Sequence, residues 1–357
     1  MTKALLPTGF RDRLPPEADA SARLVRSVLD TVASYGYERV QTPLAEYEAS
    51  LTAALGTSSR DLLRFVDPVS GETMAIRSDI TGQIGRIARG RMGHHPRPLR
   101  LSYGGPVVTL RATQLRPERE LMQVGAELIG LDSVAAVAEV VTVAIESLKN
   151  AGARDLTLDL TMPDLIDTLL PGADTADLKA RLDAKDAAAV SEAFRPLIAA
   201  AGPYAEASAR LRTFDEKGVL TARLDALDAL VAILPGDVRV TLDPTERHGF
   251  EYQSWFGFTI FAKGYSAALG RGGTYYIDRA DGPSEAATGF SLYPDPLIDL
   301  AEESNVQRLF LPLGTDAATG AKLRSDGWVT VAALDENDSA AVLGCTHKWI
   351  NGQAVIV

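Results

Sequence analysis

The chain has 357 residues, 46% hydrophobic and 6% aromatic, and carries a formal net charge of -11 at pH 7. That length and apolar content can bury a sizeable core in two or three domains. The acidic balance argues against nucleic-acid binding, whose affinity comes mainly from Lys and Arg displacing phosphate counterions.

A single cysteine, Cys345, excludes an intramolecular disulfide framework and leaves no thiolate metal site, as suits a reducing cytosol. The four histidines, His94, His95, His248 and His347, show no metal-ligand spacing. The N-terminus lacks the apolar stretch of a signal peptide, and no run reaches the roughly 18–20 apolar residues that span a bilayer. A cytoplasmic protein without membrane contact or metal is the expectation.

Pro15 and Pro16 open a segment in which Leu24, Val28 and Val32 recur on one helix face, and Gly36 ends it. Val40 to Leu44 reads as a short strand, with Pro43 tolerated at a sheet edge or strand end; an edge of this kind beside the apolar helix predicts a dimer. Arg64-Phe65-Val66 and Met74 to Arg77 flank the turn-forming Asp67 to Gly71 and predict a hairpin, followed by a helix from about Ile80 to Arg89. Strands near Leu99–Val108 and Leu121–Ile129 enclose a polar loop over Arg111–Glu120. From about 133 to 235 the composition predicts a mainly helical insertion punctuated by prolines. Strands return at Val238–Leu242, Gly257–Phe261 and Ala287–Leu292, separated by the Gly-rich Leu269–Gly273. The last 55 residues or so, 303–357, predict a small α/β unit whose final hairpin turns at Asn351-Gly352.

Three clusters stand out. Arg77-Ser78-Asp79-Ile80-Thr81 joins a hairpin strand to a helix, where Asp79 and Thr81 can present a carboxylate and a hydroxyl together; Asp79 or Ser78 capping the helix is the plainer alternative. In Gln123-Val124-Gly125-Ala126-Glu127, strand alternation sends Gln123, Gly125 and Glu127 to one face, which describes either a polar pocket floor or a solvated strand face. The aromatic run Phe250–Phe256 and the following Gly270-Arg271-Gly272-Gly273 are weak signals alone, the first of core packing and the second of phosphate binding.

Taken in order, these segments resemble the class II synthetases, and among them histidyl-tRNA synthetase, over about the first 300 residues. Gly36 to Pro43 resembles the end of motif 1, the dimer-forming element. Arg77 to Thr81 resembles the Arg-Pro-Glu-Gly-Thr segment that holds the histidine α-amino group; Gln123 and Glu127 fall on pocket-lining residues, and Phe250 to Gln253 on the Leu-Asp-Tyr-Tyr segment. The resemblance implies an α+β fold, an antiparallel sheet flanked by helices over 1–302 with a small unit over 303–357.

Against that pattern, Thr109 stands where motif 2 has its arginine and Pro296 where motif 3 has its own; His248, beside Arg247, replaces a third. Arginine offers a fixed fork of donors that threonine and proline cannot imitate. Pocket retention with loss of adenylating arginines is similar to the regulatory subunits of short-form ATP phosphoribosyltransferases, synthetase paralogues of histidine biosynthesis. That resemblance implies no catalytic residues, no cofactor, a catalytic-subunit partner, dimers within a hetero-oligomer, and L-histidine as feedback effector. It implies histidine contacts from Asp79 and Thr81 to the ammonium, from Gln123, Glu127 and Tyr252 to the ammonium or imidazole, and from Arg111, Arg247 or His248 to the carboxylate. The alternatives are a histidine-tRNA ligase and a tRNA-binding synthetase paralogue.

Overall fold

A computed structural model of the chain describes residues 6–53, 59–111, 117–247, 252–278, 282–300 and 306–357, in two compact units, Met1–Ala301 and Glu302–Val357. In chain order the first unit contains α1 (Glu17–Ser34), β1 (Glu38–Arg39), β2 (Ala45–Tyr47), α2 (Glu48–Thr52), β3 (Leu63–Val66), β4 (Thr73–Ile76), α3 (Thr81–Arg89), β5 (Leu99–Val108) and β6 (Glu120–Ile129). It continues with α4 (Val134–Asn150), β7 (Leu156–Thr161), α5 (Leu165–Leu169), α6 (Ala176–Asp183), α7 (Arg195–Ala199), β8 (Gly202–Pro203), α8 (Tyr204–Phe214) and α9 (Thr221–Ile233), and closes with β9 (Arg239–Asp243), β10 (Gln253–Ala262), β11 (Gly270–Ile277) and β12 (Glu285–Leu292).

Nine of these strands form one sheet in the order β1-β5-β6-β12-β11-β10-β7-β9-β8. Its pairings are antiparallel except β1 with β5 and β7 with β9. Strand alternation gives the sheet two different faces. Val124, Ala126 and Leu128 of β6, Phe256, Phe258 and Ile260 of β10, and Phe290 and Leu292 of β12 join the apolar stripes of α1 and α4 in the main core. The opposite face is covered by Ile80, Ile84 and Ala88 around α3, packed on Leu101, Tyr103, Ile129 and Tyr275, and it carries the polar cluster described below.

Local sequence explains the helix ends. Ser133 caps α4 by accepting the Ala136 N–H at 3.2 Å. Gly36 ends α1 with φ +82°, a left-handed backbone that glycine adopts without Cβ strain, and donates its N–H to Ala33 O at 2.9 Å. The hairpin of β3 and β4 forms as expected, with β2 on its other side in a three-stranded sheet.

Three expectations are corrected. The strand predicted over 40–44 is displaced: pairing with β5 is confined to β1 and the Val40 N–H, and the chain is irregular from Gln41 to Leu44. Pro43 has no N–H to extend a ladder, and the Thr42 and Pro43 carbonyls instead accept from Arg77 and Gln83. The helical insertion contains β7, a strand of the main sheet whose Leu156, Leu158 and Leu160 are core residues. The glycine-rich run is not a connection but the start of β11. A Cβ at Gly272 would collide with the Phe258 ring and the Gly289 carbonyl, so the missing side chain is what permits the strand.

The second unit contains β13 (Arg308–Leu311), α10 (Ala317–Ser325), β14 (Val329–Ala332), β15 (His347–Ile350) and β16 (Gln353–Ile356), with strand order β14-β13-β15-β16. Its last two strands form a hairpin through Asn351 (φ 50°) and Gly352 (φ 81°), the pair of left-handed residues such a turn requires.

Phe258 has no exposed surface and sits centrally in the main core. Phe258→Ala is expected to lower the stability of the first unit by about 3–5 kcal/mol through lost burial and cavity formation, measured as a fall in the urea midpoint.

Candidate functional site

The candidate cluster lies where the N-terminus of α3 meets the polar face of β6, β11 and β12. The turn between β4 and α3 is anchored by Arg77, whose Nε donates to Pro106 O at 2.9 Å and whose Nη1 donates to Thr42 Oγ1 at 2.7 Å and Thr42 O at 3.1 Å. This arginine is thus a buried brace for the surrounding backbone. Asp79 does not cap α3, whose N-cap is Ile80 without a side-chain cap bond; its Oδ1 accepts the Thr81 N–H at 2.6 Å, two residues on, and its Oδ2 accepts from Gln123 Nε2 at 2.9 Å.

Gln123 is completely buried and joins two elements. Its Oε1 accepts the Ile80 N–H at 2.9 Å, and its Nε2 also reaches Ser291 Oγ at 2.7 Å. From Ser291 the chain of polar contacts runs to the Tyr103 hydroxyl at 3.0 Å, which lies 3.1 Å from both Thr81 Oγ1 and Glu127 Oε1. Tyr275 donates to the other Glu127 oxygen at 2.9 Å. Two glycines make this arrangement possible. A Cβ at Gly289 would occupy the space of Glu127 Oε2, and one at Gly125 would collide with the Tyr103 hydroxyl.

Glu127 is 1% exposed. Burial in this desolvated position, with the nearby charge of Asp79 adding to it and the Tyr275, Thr81 and Tyr103 hydroxyls opposing, pushes its pKa from the ordinary 4.5 up to about 8. Burial raises the Tyr103 and Tyr275 phenols as well, so both remain neutral donors at physiological pH.

Asp79, Thr81, Glu127 and Tyr252 line one cavity together with Gln253, Arg271, Tyr275 and Ser291. Its volume is about 20 Å³, roughly the space of a single water. An amino acid enters only if a lining side chain moves aside. Tyr252, edge-on to Tyr275 with ring centroids 5.9 Å apart, is 37% exposed and forms the outer wall. A neighbouring groove of about 540 Å³ is lined by Arg11, Arg13, Leu121, Lys263, Tyr293 and Pro296, among others.

Of the residues singled out from the sequence, Asp79, Thr81, Gln123, Glu127 and Tyr252 come together. Arg111 is exposed and does not line the cavity. Arg247 turns toward the helical insertion, its N–H on Asp183 Oδ1 at 2.7 Å and its Nε on Pro163 O at 3.1 Å. His248 lies outside the described residues, as do Phe250 and Glu251. Thr109 pairs with Arg119 through its N–H at 2.8 Å, and Pro296 lies in the short 3-10 turn Asp295–Leu300. The sequence reading missed Tyr103, Tyr275 and Ser291, and met Arg271 only inside a weak phosphate-binding signal. Arg271 and Tyr275 share a face of β11 with Gly273, a signal hidden while the glycine run was taken for a loop.

The histidyl-tRNA synthetase family model matches residues 9–297. A regulatory subunit of ATP phosphoribosyltransferase from Rhodospirillum centenum is 43% identical, over 98% of this chain and 95% of the relative, and one from Paramagnetospirillum magneticum is 41% identical, over 97% and 96%. The chain belongs to this family of ATP phosphoribosyltransferase regulatory subunits. Among solved structures, a protein from Bacillus halodurans described as an ATP phosphoribosyltransferase regulatory subunit/histidyl-tRNA synthetase aligns with TM-score 0.82 at 22% identity, over 96% of both chains. Histidyl-tRNA synthetase from Nostoc sp. aligns with TM-score 0.77 at 15% identity, over 98% of this chain and 92% of its own. These likenesses show the class II synthetase fold that the sequence predicted for the first 300 residues. Members of this family are the non-catalytic subunits of an enzyme complex.

The Glu127 carboxyl binds a proton more tightly folded than unfolded, so its contribution to stability is fully present below about pH 4.5 and is lost as pH rises from there through about 8. Wild-type protein is therefore expected to lose stability relative to Glu127→Gln across that window. Paired urea titrations between pH 5 and pH 8.5 check this; parallel curves for the two proteins would contradict it.

Proposed function

We propose that this chain regulates a short-form ATP phosphoribosyltransferase catalytic subunit, and that L-histidine bound in the Glu127 cavity is its feedback effector. The observation that carries the reading is a divergence within one fold. Asp79 is bonded to Gln123, and Gln123 is joined to Glu127 through Ser291 and Tyr103, while the positions of the two adenylating arginines hold Thr109 and Pro296. Removing one preorganised donor of transition-state charge costs about a hundredfold to a thousandfold in rate, so the loss of two leaves adenylation negligible. A cytoplasmic setting follows from the pathway and agrees with the unpaired, buried Cys345. Among the described residues no helix is long and apolar enough to cross a membrane.

Self-association as a dimer within the hetero-oligomer belongs to the same proposal, but its surface differs from the one the sequence suggested. Leu24, Val28 and Val32 are buried inside the chain, so that stripe is not available to a partner. Exposed apolar side chains are found instead at Leu44, Tyr47, Phe65 and Val66, on and beside the three-stranded sheet. Sedimentation at micromolar concentration is expected to give a dimer or larger; a stable monomer would remove this part.

The purified chain is expected to show no histidine-dependent pyrophosphate exchange, the activity that separates it from a histidine-tRNA ligase. Mixed with the catalytic subunit it should raise phosphoribosyl transfer, and free histidine should lower that activity. Glu127→Ala removes a charge-assisted contact worth about 1.5–3 kcal/mol, so the histidine inhibition constant should rise about tenfold to a hundredfold while assembly persists. An assembled mutant complex with an unchanged inhibition curve would place the effector elsewhere.

A further inference from the structure

The cavity beside Glu127 contains two carboxylates and, among its described lining residues, one cation, Arg271. Alternation along β11 puts Arg271, Gly273 and Tyr275 on the polar face of the sheet. In register, Arg271 stands opposite Ser291, the hydroxyl that holds Gln123 and Tyr103, and one row from the Gly273–Gly289–Glu127 row. The guanidinium donates to the phenol of Tyr293, and the charge of Asp79 lies within electrostatic reach. Tyr293 lines the adjacent 540 Å³ groove. The Arg271–Tyr293 pair therefore stands between the small cavity and the large groove.

Arg271 forms no ion pair with a described residue, unlike Arg13, whose guanidinium meets Asp295 at 2.7 Å. The Tyr293 phenol and the charge of Asp79 keep the guanidinium in its charged form, and its planar fork matches a carboxylate in two parallel hydrogen bonds. The arginines considered from the sequence do not fill this role, Arg111 being exposed and Arg247 engaged with Asp183 and Pro163. We propose that Arg271 is the carboxylate-binding residue of the cavity: an α-amino acid takes the guanidinium from the Tyr293 phenol with its carboxylate, while its ammonium faces Asp79 and Glu127. The inference rests on the reading that this cavity takes an α-amino acid and adds which group receives each end.

Titration calorimetry on the full chain tests it, with L-histidine and with L-histidinol, which keeps the imidazole and ammonium but has a hydroxymethyl group in place of the carboxylate. Wild type is expected to bind histidine at least about tenfold more tightly than histidinol, the size of one charge-assisted contact. Arg271→Gln should weaken histidine by that factor and leave histidinol within about twofold, so the preference collapses; Arg271→Lys, which keeps the charge and loses the fork, should retain part of it. A wild-type preference near one overturns the assignment, as does a full preference persisting in the glutamine variant. Should the glutamine variant fail to fold, an undiminished preference in the lysine variant overturns it equally. If wild type binds histidinol but shows no preference for histidine, Arg271 alone is at fault. If it binds neither ligand, the effector reading fails and the assignment with it.

Discussion

Placing a carboxylate beneath the middle of a nine-stranded sheet imposes conditions on everything around it. Glu127 can lie there because Gly289 leaves its side chain room across the neighbouring strand, and because two phenols, Tyr103 and Tyr275, donate to it from opposite sides. Neutral donors offset only part of the desolvation of a buried anion, so the group keeps a proton to about pH 8. The hydroxyls of Thr81 and Ser291, the Gln123 amide and the Asp79 carboxylate then form a connected network that ties the start of α3 to β6 and β12. A fully connected buried network specifies one arrangement of side chains, and removal of any member leaves its partner unsatisfied.

Such a site is suited to recognition. A ligand ammonium would supply the positive charge that the two acids lack. Chemistry at the ligand carboxylate would need fixed cations aimed at a phosphoryl group, and the two positions that would hold them carry a hydroxyl and a proline ring. The neighbouring groove remains, edged by Arg13 locked onto Asp295, whose Oδ2 also accepts the Met122 N–H at 3.0 Å. Asp295 is two residues from Tyr293, and Arg13 donates to Ser21 of α1 at 2.8 Å. A displacement at the cavity mouth therefore has a short, bonded route to the first helix, which an effector needs if it is to bias one conformation over another.

The polar face of β6 was legible in the sequence because period-two alternation is strict there, and the Asp79 turn because a hairpin strand meets a helix at that point. The glycine run of β11 was not, because local composition reads glycine as a break, whereas here its bare backbone admits the Phe258 ring from the adjacent strand. Strand β7 was hidden within an Ala- and Leu-rich stretch whose helices flank it. The apolar stripe of α1 was correctly placed on one helix face, but periodicity alone cannot say whether that face meets the chain's own sheet or a second copy. The cation was sought at positions adjacent in sequence to the missing arginines. The fold instead brings Arg271 to the cavity from a different strand.

The central claim is that a buried, proton-holding Glu127 receives the charged end of an amino acid. Bringing an ammonium beside it must favour the carboxylate and lower its pKa, so binding near pH 7 must expel a proton. Calorimetric titration of histidine into the full chain at pH 7, repeated in buffers of different ionisation enthalpy, measures that proton count directly. The account predicts a net release approaching one proton per ligand in the wild type, abolished in Glu127→Gln; histidine binding without proton release, or with the same release in the variant, would contradict it.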